Sequence, residues 1–197
     1  MNMNSAEKSK RDYRDSYTMK IRQATIADAA ALARVHVDTW RTTYRGIVPD
    51  AHLASLSYEK RTARWAEQIQ ATLAGKFAIF VAEDENGQIA GFVDGGPNRD
   101  DDPIYKGELY AIYILQAYQG RGIGKQLVPP LAKSLLAMGL DTMLLWVLTD
   151  NTPARRFYES LGGHYVRTHY FEIGGVSLEE VSYGWLDIRS LLKRQEQ

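Results

Sequence analysis

Seven consecutive residues, Gln119-Gly120-Arg121-Gly122-Ile123-Gly124-Lys125, carry the pattern richest in chemistry along this chain. Glycines at alternate positions let the main chain turn tightly and leave its amide donors unshielded by side chains. The turn sits between an apolar strand expected over 106–115 and a helix expected over about 122–138. The start of a helix adds unpaired N–H groups and the positive end of its dipole, so the turn suits a pyrophosphate. Arg121 and Lys125 place positive charge beside it. Two other phosphate motifs fail on the residues. A P-loop needs Ser or Thr after Gly-Lys, but Gln126 follows Lys125, and the four-residue gap is absent. The dinucleotide fingerprint Gly-x-Gly-x-x-Gly is met at Gly120 and Gly122, yet Lys125 holds its sixth position.

The elements around this turn follow from periodicity. A short strand over 20–24 precedes Thr25, which caps a helix with Asp28 three residues on in the capping-box position. Ile26, Ala30, Ala33, Val37, Trp40 and Tyr44 recur at steps of four and three and predict one apolar stripe. Gly46-Ile47-Val48-Pro49 breaks that helix. A second helical stretch carries Leu53, Leu56, Trp65, Ile69 and Leu73 and ends at Gly75. Strands over 77–83 and 88–94 flank Asn86-Gly87, a two-residue hairpin signal. Turn-rich residues 95–103 lead into the strand over 106–115. Pro129-Pro130 inside the helix after the glycine turn predicts a kink or an early break, because an interior proline costs about 3 kcal/mol. A buried strand over 142–149, a short helix over 151–161 and two strands over 164–173 and 176–185 complete the chain. The order β-α-α-β-β-β-α-β-α-β-β describes an α/β fold with a mixed, mostly antiparallel central sheet flanked by helices.

The chain of 197 residues fits one domain over 20–190, with a flexible tail at 1–19 and a polar tail at 191–197. Lys plus Arg equals Asp plus Glu at 24 each, which argues against a nucleic-acid partner. Cysteine is absent, so disulfides, zinc-finger sites and thiol nucleophiles are excluded. No run is long and apolar enough to cross a membrane, and the expected location is the cytoplasm. His36, His52, His164 and His169 lack metal-ligand spacing, so no metal is expected.

With these motifs in place, the chain resembles the GCN5-related N-acetyltransferase (GNAT) superfamily over roughly residues 20–187. Gln119-x-x-Gly122-x-Gly124 matches that family's acyl-CoA pyrophosphate motif. The preceding strand looks like its central strand. Asn151, followed seven residues later by Tyr158, resembles its second signature. The resemblance implies acetyl-CoA as co-substrate, held by residues 119–125 (Gln119, Gly120, Arg121, Gly122, Ile123, Gly124, Lys125) and by the main chain of Ile112, Tyr113 and Ile114. It implies Asn151 as a cofactor contact and Tyr158 as the proton donor to the leaving sulfur. A packing tyrosine and a plain helix N-cap are the simpler readings of those two residues.

The base is open at this level. Glu108 matches the catalytic glutamate of histone-type members of the family, a solvated strand-end glutamate is its plain reading, and a water chain is the third route. Another arrangement in the family places a glutamate five residues before the Asn, where Trp146 stands here, so that arrangement is absent. Trp40, Tyr44 and Tyr110 are candidates for the acceptor pocket, with core packing the simpler reading of Trp40. The implied reaction is direct acetyl transfer to a primary amine, on a small molecule ahead of a protein N-terminus. A non-catalytic acyl-CoA sensor is the alternative, and pairing of the last strands across a homodimer is compatible with such folds.

Overall fold

The computed structural model describes residues 19–192, and the expected tails at 1–18 and 193–197 lie outside the described residues. Met19 and Leu191, which the sequence reading assigned to the tails, are both buried in the core. Seven strands, β1 (Lys20–Gln23), β2 (Ala78–Glu83), β3 (Ile89–Pro97), β4 (Gly107–Ile114), β5 (Met143–Leu148), β6 (His164–Ile173) and β7 (Val176–Trp185), form one sheet in the order β1-β2-β3-β4-β5-β7-β6. All pairings are antiparallel except β4 with β5. Helices α1 (Ala29–Thr43), α2 (Asp50–Ser55) and α3 (Tyr58–Thr72) precede β2, α4 (Ile123–Ala137) follows β4, and α5 (Thr152–Ser160) follows β5.

The two faces of the sheet bury separate clusters. Val93 and Leu109 pack with Leu127, Leu131 and Leu135 of α4. Ile79, Phe92, Ala111 and Tyr113 pack on the opposite face with Leu32 and Ala33 of α1 and Trp65 and Ile69 of α3. A third cluster joins Tyr44, Val48 and Leu53 to Leu148 and Phe171.

Thr25 and Asp28 form the expected cap, the Asp28 carboxylate accepting from the Thr25 main-chain N–H at 2.7 Å. The first turn, Ile26–Asp28, is a 3-10 turn, and α1 begins at Ala29. That turn advances about 120° per residue rather than 100°, so the stripe read from Ile26 loses phase. Ile26 and Ala30 are exposed, while Ala29, Leu32, Ala33, His36 and Val37 are buried. Leu73, placed on the second stripe, is exposed past the end of α3. The hairpin between β2 and β3 has three loop residues, Glu85, Asn86 and Gly87, because Asp84 pairs its main chain with Gln88. Gly87 adopts φ +77° there, and Asp84 Oδ1 accepts from the Asn86 and Gln88 amides.

The break expected at Pro129-Pro130 does not occur, and α4 runs unbroken through both. Leu127, Leu131 and Leu135 stand at steps of four on its buried side. Burial of each contributes about 1.5–3 kcal/mol, so the three together offset the roughly 6 kcal/mol cost of two interior prolines. Helical geometry deprives only the Lys125 and Gln126 carbonyls of donors, one turn inside the N-terminus.

Candidate active site

β4 and β5 touch only at their starts, where Gly107 pairs with Met143 and Glu108 with Leu144. Beyond those pairs, no ladder joins the C-terminal part of β4 to β5. The strands diverge, and the main chain of Ile112, Tyr113 and Ile114 borders the gap. The glycine turn lies at the end of β4, in line with that opening. Gly120 and Gly122 have φ of +75° and +77°, and a Cβ on either would meet no heavy atom within 4 Å. The space over the turn is therefore open, as a pyrophosphate requires. Ile123, Gly124 and Lys125 are the first residues of α4, whose leading N–H groups have no helical partner. Gly124 is needed for a different reason, since a Cβ there would stand 2.9 Å from the Phe157 ring of α5. Gln119 braces the turn, its Nε2 donating to the Ile114 carbonyl at 2.9 Å. Arg121 lies over the Tyr118 ring at 5.4 Å, beside the same turn.

Asn151 caps α5, its Oδ1 accepting from the Ala154 amide at 3.3 Å. Asn151→Ala is expected to lower stability by about 1 kcal/mol, read as the urea midpoint, because the cap is lost. Tyr158, on α5, packs in the cluster under α4. Its hydroxyl nonetheless interacts with those of Tyr44 and Tyr113, which belong to clusters on the other face. Burial pushes the Tyr158 hydroxyl far above the ordinary tyrosine value, so it is a protonated phenol at neutral pH. Tyr44 is raised by burial too, and the facing Asn151 and Tyr113 side chains draw it part of the way back.

Aromatic side chains gather on the face that α1 covers. Trp40 and Tyr44 meet edge to face at 4.9 Å, and His36 meets Tyr113 at 5.1 Å. Burial, with Arg61 and Arg64 nearby, lowers His36 to about 3, so the ring is neutral. Tyr110 is fixed as a wall residue. Its hydroxyl donates to the Pro97 carbonyl at 2.7 Å, and Arg99 lies over its ring at 4.5 Å. Of the three pocket candidates in the sequence reading, Trp40 and Tyr44 meet each other, while Tyr110 is held by Pro97 and Arg99.

Glu108 is fully buried on that face, and a bulge puts it there. Asp94 pairs with Ala111 and Gly95 with Leu109, so Tyr110 is an extra residue in β4. The extra residue reverses the alternation: Ala111 faces α1, while Leu109 packs under α4. Without it, Glu108 would point toward α4. The solvated strand-end reading is therefore set aside. The Glu108 carboxylate is instead taken up by Arg99, whose Nε donates to Oε1 and main-chain N–H to Oε2, each at 3.0 Å, with Nη2 also on Oε1. The sequence reading missed Arg99.

It also missed Asp94, two residues beyond Phe92 on the same face of β3. Its Oδ1 is buried with no hydrogen-bond partner among the described residues. Burial raises this carboxyl to about 7, with Arg99 and the Ala111 amide opposing the shift and Glu108 adding to it. A carboxyl whose folded value lies above its unfolded one stabilises fully only below the unfolded value, and that contribution is lost as pH rises through the folded value. Relative to Asp94→Asn, the wild-type protein is expected to lose about 3 kcal/mol between pH 4 and pH 7, read as the difference in urea unfolding free energies.

Across the gap, burial raises the Glu180 carboxyl, which faces His169, Arg99 and Asp100. Arg167 pairs with Asp102 at 2.6 Å and lies over Trp146, tying the loop before β4 to β6. Trp146 therefore lines this face, in the position where the other family arrangement has its glutamate. Among the described residues, no group of three or more His, Asp or Glu side chains is placed to hold a metal ion. No helix among them is long and apolar enough to cross a membrane.

An open glycine turn at a helix start, a diverging strand pair and a buried phenol on α5 fit one class, an acyltransferase. Residues 37–163 match the Acetyltransferase (GNAT) family, and the chain belongs to that family. It is 41% identical over 171 residues to the uncharacterized N-acetyltransferase YuaI of Bacillus subtilis, covering 87% of this chain and 95% of that one. Similarity to the mycothiol acetyltransferase of Mycobacteroides abscessus is 32% over 151 residues, covering 70% of this chain and only about half, 49%, of that protein. Among solved structures, the PaiA N-acetyltransferase of Thermoplasma acidophilum in complex with coenzyme A has the same fold. Its TM-score is 0.67 at 22% identity, covering 83% of this chain and 98% of that one.

Proposed function

We propose that this protein transfers an acetyl group directly from acetyl-CoA to a primary amine, with a small-molecule amine favoured over a protein N-terminus. The observation that carries the reading is the open glycine turn at the start of α4, beside the gap where β4 and β5 part. Residues 119–125 and the Asn151 side of the gap hold the acetyl-CoA pyrophosphate and pantetheine, and the Ile112–Ile114 main chain aligns the thioester. The amine enters from the α1 face, among Trp40, Tyr44 and Tyr110. It gives a proton to the carboxyl side of that face, where Glu108 and Asp94 lie. The nitrogen attacks the acetyl carbonyl, the C–S bond breaks, and Tyr158 protonates the departing sulfur. No acetyl-enzyme forms, since the chain has no cysteine and the amine reaches the thioester itself.

The small-molecule preference is supported by the mycothiol acetyltransferases among the relatives. A homodimer through the edge strand β6 fits its exposed Tyr165 and Tyr170. The test is CoA release from acetyl-CoA with and without tyramine, spermidine, L-phenylalaninamide and glycylglycine. Release that depends on an amine supports the transferase. Stabilisation by acetyl-CoA with no release on any of them favours the non-catalytic sensor.

A further inference from the structure

We infer that Asp94, rather than Glu108, takes the proton from the acceptor's ammonium. The inference rests on the transferase reading above and assigns a role within it. Two buried carboxylates share the α1 face where β4 begins to leave β5. Their surroundings differ in kind. Glu108 has three donors from Arg99 on its two oxygens, so it serves to fix that arginine. Asp94 has an oxygen with no partner among the described residues, although it is shielded from solvent. A buried acceptor left without a donor costs free energy unless something supplies one. An acceptor ammonium is such a donor.

Position agrees. Asp94 lies opposite Ala111, one residue before the main chain of Ile112–Ile114 that lines the thioester. Its charge adds to the rise that burial causes in the Tyr110 and Tyr113 hydroxyls. Burial raises the Tyr113 hydroxyl most, and Tyr158 and Asp94 both add to that rise. The charged and titratable groups that bear on Asp94 are Arg99 after β3 and Glu108, Tyr110 and Tyr113 on β4, with His36 on α1 packed against Tyr113 at 5.1 Å and Arg61 and Arg64 on α3 near His36. The raised carboxyl value noted above suits a group that must accept a proton near neutrality and release it again.

The protons balance. The ammonium loses one to Asp94, which returns it to solvent. The amine forms the C–N bond and the C–S bond breaks. Tyr158 gives its proton to sulfur and is recharged by the second proton leaving the nitrogen. The products are the amide, free CoA and one proton.

The first test needs no acceptor. In protein labelled with 13C at aspartate carboxyls, the resonance missing from Asp94→Asn should titrate near neutrality. A midpoint in the ordinary carboxylate range overturns the inference. The second test uses whichever of tyramine, spermidine, L-phenylalaninamide and glycylglycine turns over. Asp94→Asn should lower kcat/KM by about 10²-fold and abolish the fall in rate on the acid side of neutrality. Hydroxylamine, already uncharged near neutrality, should be largely spared. Glu108→Gln should keep the acid limb. An unchanged acid limb in Asp94→Asn, or equal losses with hydroxylamine and the amine, contradicts the assignment. A wild-type protein that binds acetyl-CoA yet releases no CoA with any of these refutes the transferase reading, and the titration then judges Asp94 alone.

Discussion

Tyr158→Phe is expected to lower kcat for CoA release by about 10²–10³-fold while leaving acetyl-CoA affinity nearly unchanged. The thiolate leaves more easily when a phenol stands ready to protonate it, and that help exists only once the C–S bond is breaking. An interaction of that kind lowers kcat and kcat/KM together. The substitution removes one oxygen and keeps the ring, which is packed among Phe157, Tyr183 and the cluster under α4. Folding should therefore survive, and melting with and without acetyl-CoA separates a lost proton donor from a lost fold. Unaltered kcat in a well-folded Tyr158→Phe would return Tyr158 to a packing role.

The second large effect concerns binding. Gly122→Trp is expected to weaken acetyl-CoA binding by about 10²–10³-fold, measured by calorimetry. Gly122 has φ +77°, where an L side chain costs about 1–2 kcal/mol, so the turn relaxes and its amides re-aim. The new side chain meets no protein atom near its Cβ, so it projects into the open space over the turn rather than into the core. Losing two hydrogen bonds to a charged phosphate at about 1.5–3 kcal/mol each accounts for a loss of that size. At acetyl-CoA equal to 100 times the wild-type Kd, stabilisation of about 2.7 kcal/mol should fall below about 0.4 kcal/mol. Retained stabilisation would show that the glycine turn does not hold the pyrophosphate.

The glycine turn, the cap at Asn151 and most of the element order were legible because each is local, although the single second helical stretch read over 53–73 is two helices, α2 and α3, parted at extended Leu56 and the Ser57 cap. A turn needs its glycines in place, a cap needs one side chain, and a strand pair needs only alternation and a connection. What escaped depends on tertiary register. Asp94 ends a strand-like run and is followed by Gly95-Gly96-Pro97, so it reads as the start of a turn. Its face becomes apparent only from Phe92 two residues earlier and from the pairing with Ala111. The Arg99–Glu108 pair spans nine residues and exists only because Tyr110 bulges out of the ladder. The bulge has no sequence mark of its own beyond an apolar run that fails to alternate. Ile26 illustrates the opposite error, in which a helical period was extended through a 3-10 turn. Pro129-Pro130 shows tertiary packing overriding a local rule, since α4 is held by its buried leucines.

The most direct test of the central claim follows acetyl label from acetyl-CoA in the presence of an active amine, with product and intact protein both analysed by mass spectrometry. The account predicts one acetylated amine for each CoA released, with no acetyl group on the chain at any time during turnover. An acetyl adduct that forms on the protein and then passes to the amine would contradict direct transfer, and CoA release without an acetylated amine would contradict the transferase itself.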